Sequence, residues 1–216
     1  MKSEFLRHNG TSQLSIFFSG WGCDGKVCQP LNTENDVLVF WDYRSWLNFE
    51  TSYFKNYDSV KVTAWSLGVW VANQCLTNYD IKNVASATAI NGTLQPIDEE
   101  CGINPAIFNG TLNGLNERNL FKFRRRMCGD QFQKFMELDP SMDVMTLTAE
   151  LQALADGINS NGEAKNNQSR IWTDAIIGKN DLIFLTEAQE KSWKEAGVKI
   201  KKVDCCHYSS ELFLDI

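Results

Sequence analysis

Histidine is scarce in this chain: His8 and His207 are the only two in 216 residues. The seven cysteines contain no Cys-x-x-Cys pair, and with so few imidazoles this argues against a Cys/His zinc site. Their number is odd, and the adjacent Cys205 and Cys206 are too strained to bridge each other, so reduced thiols in the cytosol are expected. Positive charge is not in excess. A net charge of −6 argues against a general role on nucleic acid. No apolar run reaches membrane-spanning length. The opening Met-Lys-Ser-Glu-Phe-Leu-Arg-His lacks the apolar stretch of a secretory leader, so none is expected. Asn-Gly-Thr occurs at Asn9, Asn91 and Asn109 and matches the glycosylation pattern, but in a cytosolic chain these read as turn residues. No internal repeat is evident. What remains is a chain long enough for one domain with a real core, with an ordinary globular balance of 43% hydrophobic and 22% charged residues.

Four short apolar runs open the chain: Leu14–Ser19, Val37–Trp41, Ser59–Trp65 and Val84–Ile90. Most are rich in β-branched or aromatic residues, as buried parallel strands are. Helix-compatible segments separate them at about Trp46–Lys55 and Leu67–Tyr79. Alternating strand and helix predicts a parallel sheet with crossover helices, an α/β fold. The pattern breaks from Thr93 to about Gln168, where Pro96, Pro105 and Pro140 punctuate a polar stretch. Helices are predicted there at about Asn116–Leu138 and Thr146–Ile158, and Asn159–Asn167 reads as a solvated loop. A strand at Arg170–Ile177, a helix at Thr186–Ala196 with Thr186 as N-cap, and a strand at Val198–Val203 then restore the first pattern. Residues 1–92 and 169–216 are thus expected to form the core, and 93–168 an inserted helical cap above the strands' carboxyl ends.

Thr63-Ala-Trp-Ser-Leu-Gly68 joins a strand to a helix, the setting of a nucleophile elbow. Such a turn needs small residues two before and two after the serine, and Ala64 and Gly68 supply them. Ser66 would stand at a helix N-terminus, which favours developing negative charge, and the Leu67 amide would be one oxyanion donor. The Trp21 amide, in the Gly20-Trp21-Gly22 loop whose glycines would let the backbone approach a substrate oxygen closely, is the candidate for the second donor; a plain tight turn is the alternative. A serine nucleophile needs a base. His207 follows the last strand, as the serine–acid–histidine order requires, whereas His8 fits no such order. Asp181, after the strand ending at Ile177, is the candidate acid; Asp174 inside that strand and Asp204 near the histidine are its rivals. Arg118, Lys122, Arg124, Arg125 and Arg126 crowd one stretch of the inserted block. They read either as a solvated helix face or as a dock for an acidic partner or an anionic acyl group.

Phe17-Phe-Ser-Gly-Trp-Gly-Cys-Asp24, Ala64-Trp-Ser-Leu-Gly-Val-Trp70, Gly178-Lys-Asn-Asp181 and His207 together resemble the BioG-type pimeloyl-acyl carrier protein (ACP) methyl ester esterases, members of the α/β-hydrolase superfamily, over nearly the whole chain. The related but longer BioH-type esterases share the Gly-Trp-Gly loop and the tryptophan before the nucleophile, here Trp65, which is counted with the substrate-contacting residues. The resemblance implies hydrolysis of a pimeloyl-ACP methyl ester in biotin synthesis by half-reactions that need no metal; no cofactor is expected, and the cytoplasmic setting is the one that the cysteines suggest. It makes the basic stretch a candidate for holding the acidic carrier protein. Two residues depart from the common pattern: Ala64 replaces the first elbow glycine, and Cys206 precedes His207 where glycine is usual. A broad small-ester or thioester hydrolase, or a non-catalytic hydrolase-like binding protein, are the alternatives.

Overall fold

The computed structural model describes residues 1–29, 33–79, 81, 83–139, 143–161 and 171–214. The four early apolar runs form strands β2 (Gln13–Phe18), β3 (Asp36–Trp41), β4 (Ser59–Trp65) and β5 (Val84–Ile90). They are joined by β1 (Lys2–Arg7), β6 (Asp174–Gly178) and β7 (Lys199–Val203) in one sheet of order β1-β3-β2-β4-β5-β6-β7. All neighbours pair parallel except β1, which runs antiparallel to β3. Near-continuous burial of β2 and β3 on both faces explains their unbroken apolar sequences. Phe18 and Phe40 stack across that pair at 4.9 Å, out of solvent. Burying such a ring contributes roughly 1.5–3 kcal/mol.

Helix α1 (Leu67–Asn78) follows β4 and packs on the sheet. Among the described residues, four α-helices lie between β5 and β6: α2 (Pro105–Asn113), α3 (Glu117–Cys128), α4 (Phe132–Glu137) and α5 (Val144–Asn161). Helix α6 (Thr186–Glu195) joins β6 to β7. The Leu147, Leu151, Leu154 and Ile158 stripe of α5 is buried, as its spacing predicts.

Several expectations are corrected. Trp46–Lys55 is not an α-helix; one 3-10 turn, Tyr43–Ser45, ends just before it and another, Ser52–Asn56, covers its end. Asn48, Thr51 and Ser52 compete with helical hydrogen bonding, and the Ser52 N–H bonds to the Glu50 carboxylate instead. The single helix expected over Asn116–Leu138 breaks at Gly129, whose φ of 53° ends α3. Helix α2 was not expected because Pro105 reads as a breaker. It is the first helical residue, where its missing N–H costs nothing, and the Asn104 side chain caps it. Asn109 therefore lies in a helix, not a turn. Thr186 is not the N-cap of α6; that position is Leu185, and the Thr186 hydroxyl donates to the Gly178 and Lys179 carbonyls. The strand expected from Arg170 begins at Asp174. Of the expected loop, Asn159–Asn161 close α5, while 162–167 lie outside the described residues.

Candidate active site

The strand order sets where the site forms. Strand β2 has β3 on one side and β4 on the other, so the chain reverses direction of growth there. The loops after β2 and β4 diverge at that point and leave a crevice at the strands' carboxyl ends. The first loop carries Gly20, Trp21 and Gly22; the second is the turn at Ser66.

Ser66 has φ 59° and ψ −132°, a conformation a non-glycine residue rarely adopts. Strain of this kind costs about 1–3 kcal/mol and persists only when the surroundings enforce it. Here the Ser66 N–H donates to the Ile90 carbonyl (2.9 Å) and its own carbonyl accepts from Val69 N–H (3.1 Å). Two residues on, a Cβ at Gly68 would lie 2.3 Å from the Ser19 carbonyl oxygen, so only glycine lets α1 start this close to β2. Ala64, fully buried in β4 opposite Phe18 and Ala89, is small enough to stand where glycine is more usual.

The turn aims the Ser66 hydroxyl at His207, Oγ to Nε2 2.9 Å. The opposite ring nitrogen, Nδ1, lies 2.8 Å from Asp181 Oδ2. A carboxylate only accepts, so Nδ1 carries the proton and Nε2 is free to accept from the serine. The Asp181 carboxylate is itself fixed: Oδ1 accepts from the Ile183 and Phe184 N–H groups, and Oδ2 also accepts from Gln189 Nε2. Phe184 stacks on the imidazole at 5.9 Å and Trp65 flanks it at 5.4 Å. The histidine backbone is held as well, its carbonyl accepting from Trp65 Nε1 (3.0 Å) and Asn91 Nδ2 (2.8 Å).

The rival groups lie elsewhere. Asp174 faces Lys199 at 3.8 Å, and exposed Asp204 accepts from Asn180. His8 stacks on Phe5 and sits 3.8 Å from Asp36, which opens β3 at the amino ends of the parallel strands, across the sheet from Ser66.

An apolar cleft of about 530 Å³ opens above Ser66 and His207. Its walls are mainly Trp21, Trp65, Ile107, Phe108, Phe123, Met127 and Leu151, with Arg126 and Thr111 as polar exceptions; Leu67 also borders it. The Leu67 N–H, first in α1, has no intrahelical acceptor. A second trough of about 760 Å³ shares Ile107, Thr111, Phe123 and Arg126 with the first and continues between α2 and α3 past Lys122.

The five basic residues do not act as one patch. Arg118 and Lys122 are exposed, and Arg126 lies over the Phe123 ring at the junction of cleft and trough. Arg125 instead covers Phe132. Arg124 turns inward beside Cys23 and Leu147, where burial lowers its guanidinium pKa.

Three residues that hold this site were not singled out by sequence. Asn91 (φ 45°), read as a turn residue, accepts from Gly178 N–H and donates to the Cys206 and His207 carbonyls, tying the ends of β5 and β6 to the histidine loop. Gln189 braces Asp181 from α6. Glu150 is a buried acid on the apolar stripe of α5, and that misplacement was its one visible signal.

Among the described residues no group of three or more His, Cys, Asp or Glu could hold a metal ion, and no helix is long and apolar enough to cross a membrane. All seven cysteines are unpaired; burial pushes Cys28, Cys75 and Cys128 up to about 12.

The fold is that of the α/β-hydrolases. A bromoperoxidase from Bacillus anthracis superposes with a TM-score of 0.69 at 15% identity, covering 95% of this chain and 88% of that one. The chain belongs to the family described as pimeloyl-ACP methyl esterase BioG, which matches residues 1–215, as the resemblance in the sequence implies. The crystal structure of BioG from Haemophilus influenzae superposes with a TM-score of 0.86 at 31% identity, covering 100% of this chain and 97% of that one. An uncharacterized protein from Haemophilus influenzae is 35% identical over 198 residues, 89% of this chain and 87% of its own. A Bacteroides fragilis protein named malonyl-[acyl-carrier protein] O-methyltransferase is 40% identical over 200 residues, 91% of this chain. The match spans only 40% of that longer protein.

Proposed function

We propose that this chain hydrolyses the methyl ester of pimeloyl-ACP, releasing methanol and the free terminal carboxylate for biotin synthesis. The observation that carries the reading is the hydrogen-bonded chain Ser66–His207–Asp181, buried at the floor of an apolar cleft. Membership of the BioG family supports the substrate. The Bacteroides relative, named for O-methylation of an ACP-bound acid, supports it too, because such an ester is the bond this cleft would cut.

In this reading His207 removes the Ser66 proton as the hydroxyl attacks the ester carbonyl, and Asp181 fixes the ring and stabilises the imidazolium. The Trp21 and Leu67 amides hold the oxyanion. The imidazolium returns the proton to the departing methoxide, which leaves as methanol. A water activated by His207 then releases the acyl group from Ser66. Helices α2 to α5, the described part of the 93–168 block, act as a cap over the reacting bond. The trough between α2 and α3 admits the carrier-linked arm, and the exposed Arg118, Lys122 and Arg126 hold the acidic carrier, with Lys122 and Arg126 nearest the arm, while Arg124 and Arg125, turned elsewhere, take no part. Free, largely buried thiols support a cytoplasmic setting.

The test compares kcat/KM for pimeloyl-ACP methyl ester with that for a short p-nitrophenyl ester. The reading expects a clear preference for the carrier-bound ester, with methanol and pimeloyl-ACP as products. Preference for the small ester would make the chain a broad esterase, and no turnover of either would remove enzymatic hydrolysis.

A further inference from the structure

Helix α5 presents one acid among leucines. Glu150 lies between Leu147, Leu151 and Leu154 on the buried stripe and is 1% exposed. A leucine there would complete the stripe; a buried carboxylate is costly unless its oxygens are used. Both are used. Oε2 accepts from the Gly22 N–H (3.2 Å) and Oε1 from the Tyr43 N–H (3.0 Å).

These two contacts close a ring around one loop. The Tyr43 hydroxyl donates to the Ser19 carbonyl at 2.6 Å, so the segment from Ser19 to Gly22 is held at its start through Tyr43 and at its end by Glu150 directly. Between those points, the Trp21 indole N–H donates to the Leu147 carbonyl of the same helix at 2.9 Å. Gly22 takes φ 72°, and a Cβ there would come within 2.9 Å of the Leu147 side chain. One helix of the inserted block therefore grips the loop that carries the Trp21 amide.

We propose that Glu150 is a positioning residue for the oxyanion-binding loop, its two carboxylate oxygens setting where the Trp21 amide stands over Ser66. The proposal rests on the reading of Trp21 as an oxyanion donor. Burial pushes the carboxyl up to about 7, and the two N–H bonds pull against that rise. The ionisable groups facing it are Asp42, Tyr43 and Arg44 from the segment after β3, Cys23 from the loop after β2 and the Met1 amino group.

Glu150→Gln keeps the volume and one acceptor but sets an amide NH2 against the other N–H. Misplacing a catalytic group by about 1 Å costs on the order of 100-fold. The expected result is a kcat about 10- to 100-fold lower for both pimeloyl-ACP methyl ester and p-nitrophenyl butyrate, with KM held within about twofold and affinity for a trifluoromethyl ketone falling in parallel. A purely structural role would lower the melting temperature and leave kcat per folded molecule unchanged, which would overturn the proposal. Should the glutamine variant not fold, Glu150→Asp, with its shortened reach, carries the same readouts and the same two outcomes. Ser66→Ala is run beside them. If it retains hydrolysis, the reading of the site fails. If it is inactive while the Glu150 variants keep wild-type kcat, only the Glu150 proposal fails.

Discussion

At Ser66 a single backbone angle decides what the side chain can do. A serine at φ 59° is held against its preference by the end of β5 behind it and the start of α1 ahead of it, and in return its hydroxyl meets an imidazole at 2.9 Å. Each partner's part is separable. Asp181→Asn preserves the shape but removes the group that fixes the ring tautomer, and kcat is expected to fall about 10⁴-fold with little change in KM. His207→Ala is expected to abolish turnover, while His8→Ala, across the sheet, leaves it unchanged; steady-state kinetics on a small ester check all three. Asn91→Ala would take the acceptor from the Gly178 N–H and leave the His207 carbonyl held by Trp65 Nε1 alone, so a kcat loss with a lowered melting temperature is expected. Ser66, Asp181 and His207 were legible because each sits just past a strand end, and strand ends show in sequence. Asn91, Gln189 and Glu150 were not, because their partners lie 87, 8 and 128 residues away and no local pattern announces such contacts.

At the scale of elements, the crevice depends on how closely α1 can start against β2. Gly68→Ala would drive a methyl group into the Ser19 and Phe18 carbonyl oxygens, which are backbone and cannot rotate away. A loss of at least about 1–3 kcal/mol in urea-denaturation stability is expected, with activity falling in whatever folds. Helix α3 supplies the second test. Reversing Lys122 and Arg126 to glutamate is expected to raise KM for the carrier-bound ester well above any change for a small ester; equal effects on both would remove the docking role. The buried strands were readable from their apolar runs. Strand β1 was not, because an edge strand half in water carries Lys2, Glu4 and Arg7 and shows no such run. The helices between β5 and β6 were blurred for a different reason: their ends are made by Asn104, Asn116 and Gly129, and proline opens one of them.

Over the whole molecule, a sheet with charged strands at both edges carries an inserted helical block that reaches back into the loops of the site. Glu150 couples this architecture to pH. Its folded-state pKa, about 7, lies above the ordinary glutamate value of 4.5. The stability linked to it is therefore fully present below that lower value and lost as pH rises through about 7. Between pH 5 and pH 8 the wild type is expected to lose on the order of 3 kcal/mol more than Glu150→Gln, read from urea midpoints. Equal pH dependence in the two proteins would mean that the carboxyl does not titrate in this range. The most direct measurement is turnover of pimeloyl-ACP methyl ester by wild type and Ser66→Ala at equal concentrations of folded protein. Methanol release by the wild type and a variant slower by about 10⁶-fold is the predicted result. A Ser66→Ala protein that still releases methanol at a sizeable fraction of the wild-type rate would contradict it.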